Sequence, residues 1–120
     1  MPKALVIEDE AQMNEVIYSF LEKRGFEVKR AFSGREALDI YSKENPEIVF
    51  LDLGLPDMEG KDILRKIKEE SPQTKVIVIS GYDERKEESL NLGADYFLSK
   101  PVLISTIYDA IKNILGKKIH

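Results

Sequence analysis

Five residues of this chain stand where they could act together: Glu8, Asp9, Asp52, Ser80 and Lys100. Each lies just beyond a short, apolar, β-branched run, at the end of a predicted strand. Glu8-Asp9-Glu10 follows ALVI, Asp52 follows IVFL, Ser80-Gly81 follows VIVI, and Ser99-Lys100-Pro101 closes the last such run. In an open α/β sheet the carboxyl ends of the strands form one rim, where ligands sit. Carboxylates gathered there repel by roughly 4 kcal/mol at 4 Å under a surface-like dielectric. A proton or a cation must relieve them. Oxygen-only ligands suit a hard cation, and few protein ligands favour Mg2+, with Mn2+ as a substitute. Beside such an ion, Lys100 and Ser80 suit phosphoryl oxygens, and a carboxylate nucleophile yields an acyl phosphate. Asp52 is the carboxylate that directly follows a buried mid-sheet run, so it is the candidate nucleophile.

Composition removes competing chemistries. There is no cysteine, and the one histidine is His120, the last residue, so thiolate chemistry, zinc sites and His-based triads are not expected. A net charge of -4, from 22 acidic and 18 basic residues, argues against direct nucleic-acid binding. No run approaches the ~20 apolar residues of a membrane span, and Met-Pro-Lys-Ala at the start lacks a signal pattern. A cytoplasmic location, with no membrane partner, is the expectation.

The elements that must position these residues alternate. Strands are predicted at Ala4–Ile7, Glu27–Phe32, Glu47–Leu51, Lys75–Ile79 and Asp95–Leu98. Three read as continuous apolar runs, as strands buried on both faces do, whereas Glu27–Phe32 alternates and belongs nearer an edge. Helical spacing covers Ala11–Arg24, Gly60–Glu70, Asp83–Leu92 and Val102–Leu115, and the capping-box pattern Ser33-Gly-Arg-Glu36 opens another helix. Five strand–helix repeats with short connections predict one α/β domain over residues 1–120, a doubly wound parallel sheet with helices on both faces.

The ordered pieces Glu8-Asp9, Asp52-Leu-Gly-Leu-Pro56-Asp-Met-Glu-Gly60, Ser80-Gly81 and Gly93-Ala-Asp-Tyr-Phe97-Leu-Ser-Lys100-Pro101 resemble the receiver domain of two-component response regulators across essentially the whole chain. The resemblance implies a flavodoxin-like (βα)5 fold and a signalling domain that catalyses only its own phosphorylation and dephosphorylation. It implies Asp52 as phosphoacceptor, Lys100 as phosphate-binding lysine, and a metal site of Glu8, Asp9, Asp52 and the Gly54 carbonyl. Ser80 and Phe97 would be the switch pair, acting on the face formed by the fourth helix, fifth strand and fifth helix. A cis Lys100-Pro101 peptide is also implied. Expected partners are a histidine kinase or phosphotransfer protein and a downstream protein target or effector domain. Glu8 stands where the family commonly has Asp, Ser80 where it has Thr, and Phe97 where it has Tyr.

Other readings remain open at this point. Glu8-Asp9-Glu10 could serve only to cap the first helix, and Phe97 could be a plain core aromatic. A Mg2+-dependent phosphatase on a small substrate would share the nucleophile but needs a general acid and a cap that 120 residues leave no room for. A receiver-like module independent of phosphorylation is a further alternative. A Gly-rich nucleotide turn is absent after the first strand. On the first helix, Met13, Val16 and Phe20 form a second apolar stripe beside Ile17 and Leu21. Gln12, Met13 and Val16, with Val102, are the expected kinase-docking patch, the alternative being a wide buried face.

Overall fold

The apolar runs ALVI, IVFL and VIVI become the three inner strands of a five-stranded parallel sheet in the computed structural model, which describes residues 2–116. His120 lies outside the described residues. The strands are β1 (Lys3–Ile7), β2 (Glu27–Ala31), β3 (Ile48–Asp52), β4 (Lys75–Ser80) and β5 (Tyr96–Ser99), in the spatial order β2-β1-β3-β4-β5. The alternating segment β2 is an edge strand, as its pattern predicts. The fold is the doubly wound, flavodoxin-like α/β fold expected from the alternation.

Strand periodicity divides the core in two. Ala4, Val6, Ile48, Phe50, Ile77, Ile79 and Leu98 point to one face, where α1 (Ala11–Glu22) and α5 (Ile104–Leu115) cover them with Ile17, Phe20, Leu21, Ile107 and Ile111. Leu5, Ile7, Val49, Leu51, Val76 and Val78 point to the other, under α2 (Gly34–Glu44) and α3 (Gly60–Glu70) with Ala37, Tyr41, Ile63, Leu64 and Ile67. Both faces of the inner strands are therefore dry, which is why those runs do not alternate in hydropathy.

Boundaries move where a side chain takes over a backbone group. Strand β2 stops at Ala31 because the Phe32 amide is claimed by the Glu36 carboxylate at 2.7 Å. Ser33 caps α2 through its hydroxyl, which accepts from Glu36 N. The segment predicted as one helix from Asp83 begins as a 3-10 turn, Asp83–Arg85, with no buried residue to hold it in register, and becomes α4 (Lys86–Asn91) only afterwards. Helix α5 starts at Ile104, not Val102, because the Thr106 hydroxyl accepts the Leu103 amide and makes Leu103 the cap.

Gly60, the first residue of α3, has a positional reason to be glycine. A Cβ there would stand 2.5 Å from Leu53 Cα and 2.9 Å from the Asp52 carbonyl oxygen. Both are backbone atoms that cannot yield without moving the loop after β3. Gly60→Ala is expected to destabilise the fold by about 1–3 kcal/mol, read as a shift of the urea midpoint. An unshifted midpoint would mean that the start of α3 relaxes freely.

Candidate functional site

The β1–β3 register pairs Ile7 with Leu51, so the next residue of each strand, Glu8 and Asp52, emerges side by side. This is the junction where the chain winds outward in both directions, the usual crevice of a doubly wound sheet. Carboxylate oxygens of Glu8, Asp9 and Asp52 lie within 4.8 Å of one another. Glu8 and Asp52 are buried and Asp9 is exposed, so the cluster opens to solvent on the Asp9 side.

Each oxygen of Asp52 has a donor. The Gly54 amide donates to Oδ1 at 2.9 Å and the Lys100 ammonium to Oδ2 at 3.0 Å. Lys100 is placed by its own backbone, whose amide donates to the Ser80 carbonyl at 2.9 Å, and the Lys100-Pro101 peptide is cis, as expected. Partial burial opposes the charge on Lys100, but the hydrogen bond to Asp52 and the charges of Asp52, Glu8 and Asp9 outweigh it and hold the ammonium above its ordinary range.

Glu8 is the unbalanced member. Its Oε2 accepts from the Glu10 amide at 3.0 Å, whereas Oε1 is buried with no hydrogen-bond partner and stands 3.7 Å from Lys100 Nζ. Burial first, and the neighbouring Asp52 second, push its carboxyl up to about 8. A buried acceptor without a donor calls for a proton or a cation. The all-oxygen donor set of Glu8, Asp9 and Asp52 fits a hard divalent ion of the Mg2+ type.

Ser80 lines the same cavity of about 350 Å³ as Asp52, Gly54, Tyr82, Arg85 and Lys100. Its hydroxyl is turned to its own loop, accepting from the Tyr82 amide at 3.0 Å. Phe97 is half-buried and packs on the α2/α3 side of the sheet, opposite its strand neighbours Tyr96 and Leu98. The docking set divides. Gln12 is exposed, Met13 is half-buried against the core and Val16 is 38% exposed. Val102 is not a surface residue: at 6% exposure it is packed in the core with Ile107 and Ala110, because it precedes the α5 cap and turns inward.

Three site residues escape sequence reasoning. Arg85 lines the acceptor cavity from the 3-10 turn. Asp57 accepts the Gly34 and Arg35 amides at 2.8 and 2.9 Å, tying the loop after β3 to the start of α2, and these bonds hold its carboxyl below the usual range. Asn14, fully buried, donates to the Glu8 and Ala31 carbonyls at 2.9 and 3.1 Å and accepts from Arg30 Nε at 2.7 Å. It thereby fixes the acidic loop from beneath. The signal for Asn14 was present, as a polar residue on the stripe of Ile17 and Leu21. For Arg85 there was none, and Asp57 stands within the segment after Asp52 that carries the resemblance, with nothing in its spacing to show its partners.

The chain belongs to the response regulator receiver domain family, whose model matches residues 4–112. It is 35% identical over 118 residues to sporulation initiation phosphotransferase F of Bacillus subtilis, covering 97% of this chain and 95% of that one. It is 31% identical to the chemotaxis protein CheY of Thermotoga maritima, covering 93% and 96% of the two chains. Among solved structures, a CheY-like receiver domain from Methanospirillum hungatei superposes with a TM-score of 0.90 at 32% identity, over 98% of this chain and 96% of the other.

Proposed function

We propose that Asp52 accepts a phosphoryl group from the phosphohistidine of a partner kinase or phosphotransfer protein. The observation that carries this is the pairing of Asp52 Oδ2 with Lys100 at 3.0 Å beside the partnerless Glu8 Oε1. The cluster has one cation in place and a position for a second. Mg2+ would be held by Glu8, Asp9, Asp52 and the Gly54 carbonyl. When bound, it would supply charge neutralisation at the phosphoryl oxygens.

The chain's own residues account for the rest. The Gly54 amide and Lys100 orient the Asp52 carboxylate. A carboxylate oxygen attacks phosphorus, an O–P bond forms, the N–P bond of the donor breaks, and the imidazole leaves with the bonding pair. Lys100, held protonated by its surroundings, stays to neutralise an oxygen of the product. Ser80 lies in the same cavity and reaches the new oxygens by leaving Tyr82. Phe97, half-buried on β5 two positions before Ser99, the register partner of Ser80, would then carry the change to the face of α4, β5 and α5 and so to a protein target. Among the described residues no helix is long and apolar enough to cross a membrane, and we assign the chain to the cytoplasm with its kinase.

The test is intact mass after incubation with a small phosphodonor such as phosphoramidate. One added phosphoryl group is expected, dependent on Mg2+ and absent in Asp52→Asn. No gain under any condition would leave a receiver fold that binds its partners without phosphorylation.

The kinase docks, on this proposal, over Gln12, Met13 and Val16 at the exposed edge of α1. Met13→Asp is expected to slow transfer from a histidine kinase at least tenfold, since a charge in an apolar contact leaves a desolvated group unpaired. Uptake from phosphoramidate should not change. Equal transfer by the variant would remove this surface from the docking site.

A further inference from the structure

With Asp52 as the phosphoryl acceptor, Lys100 is the only cation within hydrogen-bond reach of it among the described residues. A phosphoryl group exchanges the single charge of the carboxylate for one approaching two and brings three strong acceptor oxygens. We infer that Arg85 is a second phosphoryl-binding cation, which leaves Glu59 for the phosphoryl oxygens once Asp52 is modified.

Three observations place it there. Arg85 lines the acceptor cavity together with Asp52, Gly54, Ser80 and Lys100. Its backbone is anchored: the amide donates to the Tyr82 carbonyl at 3.1 Å, and its carbonyl accepts from the hydroxyl of buried Ser89 at 2.8 Å. Its guanidinium, by contrast, is loosely committed. The nearest acid is Glu59, with Nη2 and Oε2 3.6 Å apart, beyond hydrogen-bond length, and the Glu59 side chain is 59% exposed. An ion pair at this separation with an exposed acidic partner contributes little, so the guanidinium is released at small cost.

A guanidinium can give two parallel hydrogen bonds to a phosphoryl group, which an ammonium cannot. Arg85 therefore complements Lys100 rather than duplicating it. Because Arg85 is the last residue before α4, and its carbonyl holds Ser89 within that helix, the exchange of partners also pulls on the N-terminal turn of α4.

Equilibrium binding of beryllium trifluoride, a phosphoryl mimic, in the presence of Mg2+ tests the inference without the ambiguity of a hydrolysis rate. Arg85→Ala is expected to weaken binding about tenfold or more, the loss of a charge-assisted bond. Arg85→Lys should recover part of that, keeping the charge without the fork. Glu59→Gln should tighten binding about twofold, by freeing the guanidinium from a weak pair. Mimic binding by the parent chain that is unchanged in Arg85→Ala and Glu59→Gln overturns this inference alone. A parent chain that neither binds the mimic nor gains mass from phosphoramidate overturns the assignment of Asp52 and this inference with it.

Discussion

Asp52→Asn should yield a protein that takes no phosphoryl group and is nonetheless more stable than its parent at pH 9 without metal, where Glu8 is mostly ionised, by about 1–2 kcal/mol. Two terms of opposite sign decide this. The Asp52 carboxylate lies within 4.8 Å of the Glu8 carboxylate, a repulsion of about 4 kcal/mol at a surface-like dielectric when both are ionised. Against it stands the hydrogen bond from Lys100, in the range of about 1.5–3 kcal/mol for a charged pair. Lys100 is not stranded by the change, because Glu8 Oε1 is 3.7 Å away and its side chain is one-third exposed. An amide keeps the shape of the carboxylate and the acceptor for the Gly54 amide. Urea unfolding of the two proteins in chelator decides the matter. A less stable variant would show that the Lys100–Asp52 pair outweighs the crowding of carboxylates.

The second large effect is on pH. Glu8 is held up to about 8 in the folded chain, against an ordinary value of 4.5. Between those values the folded state keeps a proton that the unfolded state has released, so stability must fall as pH rises. The contribution is complete near pH 4.5 and lost as pH climbs through about 8, on the order of 5 kcal/mol in total. Saturating Mg2+ should flatten the slope, because Glu8 is then deprotonated in both states. A divalent ion binds the carboxylate and not the acid, so its affinity grows as Glu8 deprotonates. In unfolding series from pH 6 to 8.5, the chelated protein is expected to weaken steadily, and the gap between chelated and Mg2+-loaded protein should widen. Stability in chelator that rises over this range would show Glu8 to be ionised throughout.

Much of this arrangement is legible without coordinates, for reasons that can be assigned residue by residue. The runs ALVI, IVFL and VIVI identify strands dry on both faces, and in a doubly wound sheet their ends must converge, which brings Glu8, Asp9, Asp52, Ser80 and Lys100 to one rim. What escapes depends on tertiary register. Val102 lies one residue before the cap of α5, and its direction follows from where that helix starts, which Thr106 decides. Arg85 lines the cavity from the 3-10 turn Asp83–Arg85, where helical spacing alone predicts one helix from Asp83. Asp57 finds its two amides on a helix that lies more than twenty positions earlier in the chain. Spacing along the chain carries no trace of such pairings.

The two walls of the acceptor crevice are built from different materials. One wall, the loop after β3, is bolted by paired bonds from Asp57 to the head of α2 and by Gly60 wedged against Leu53. The other, the turn after β4, is held to itself and to α4 by the bonds of Tyr82 and Ser89, but is joined to its surroundings only loosely at the surface, through Ser99 to Asp83 at 2.5 Å and Arg85 to Glu59 at 3.6 Å. A strained assembly yields along its weakest fastening. On the proposed function, a load placed at Asp52 is expected to be relieved toward α4, with a stiff jamb on one side of the crevice and a door on the other.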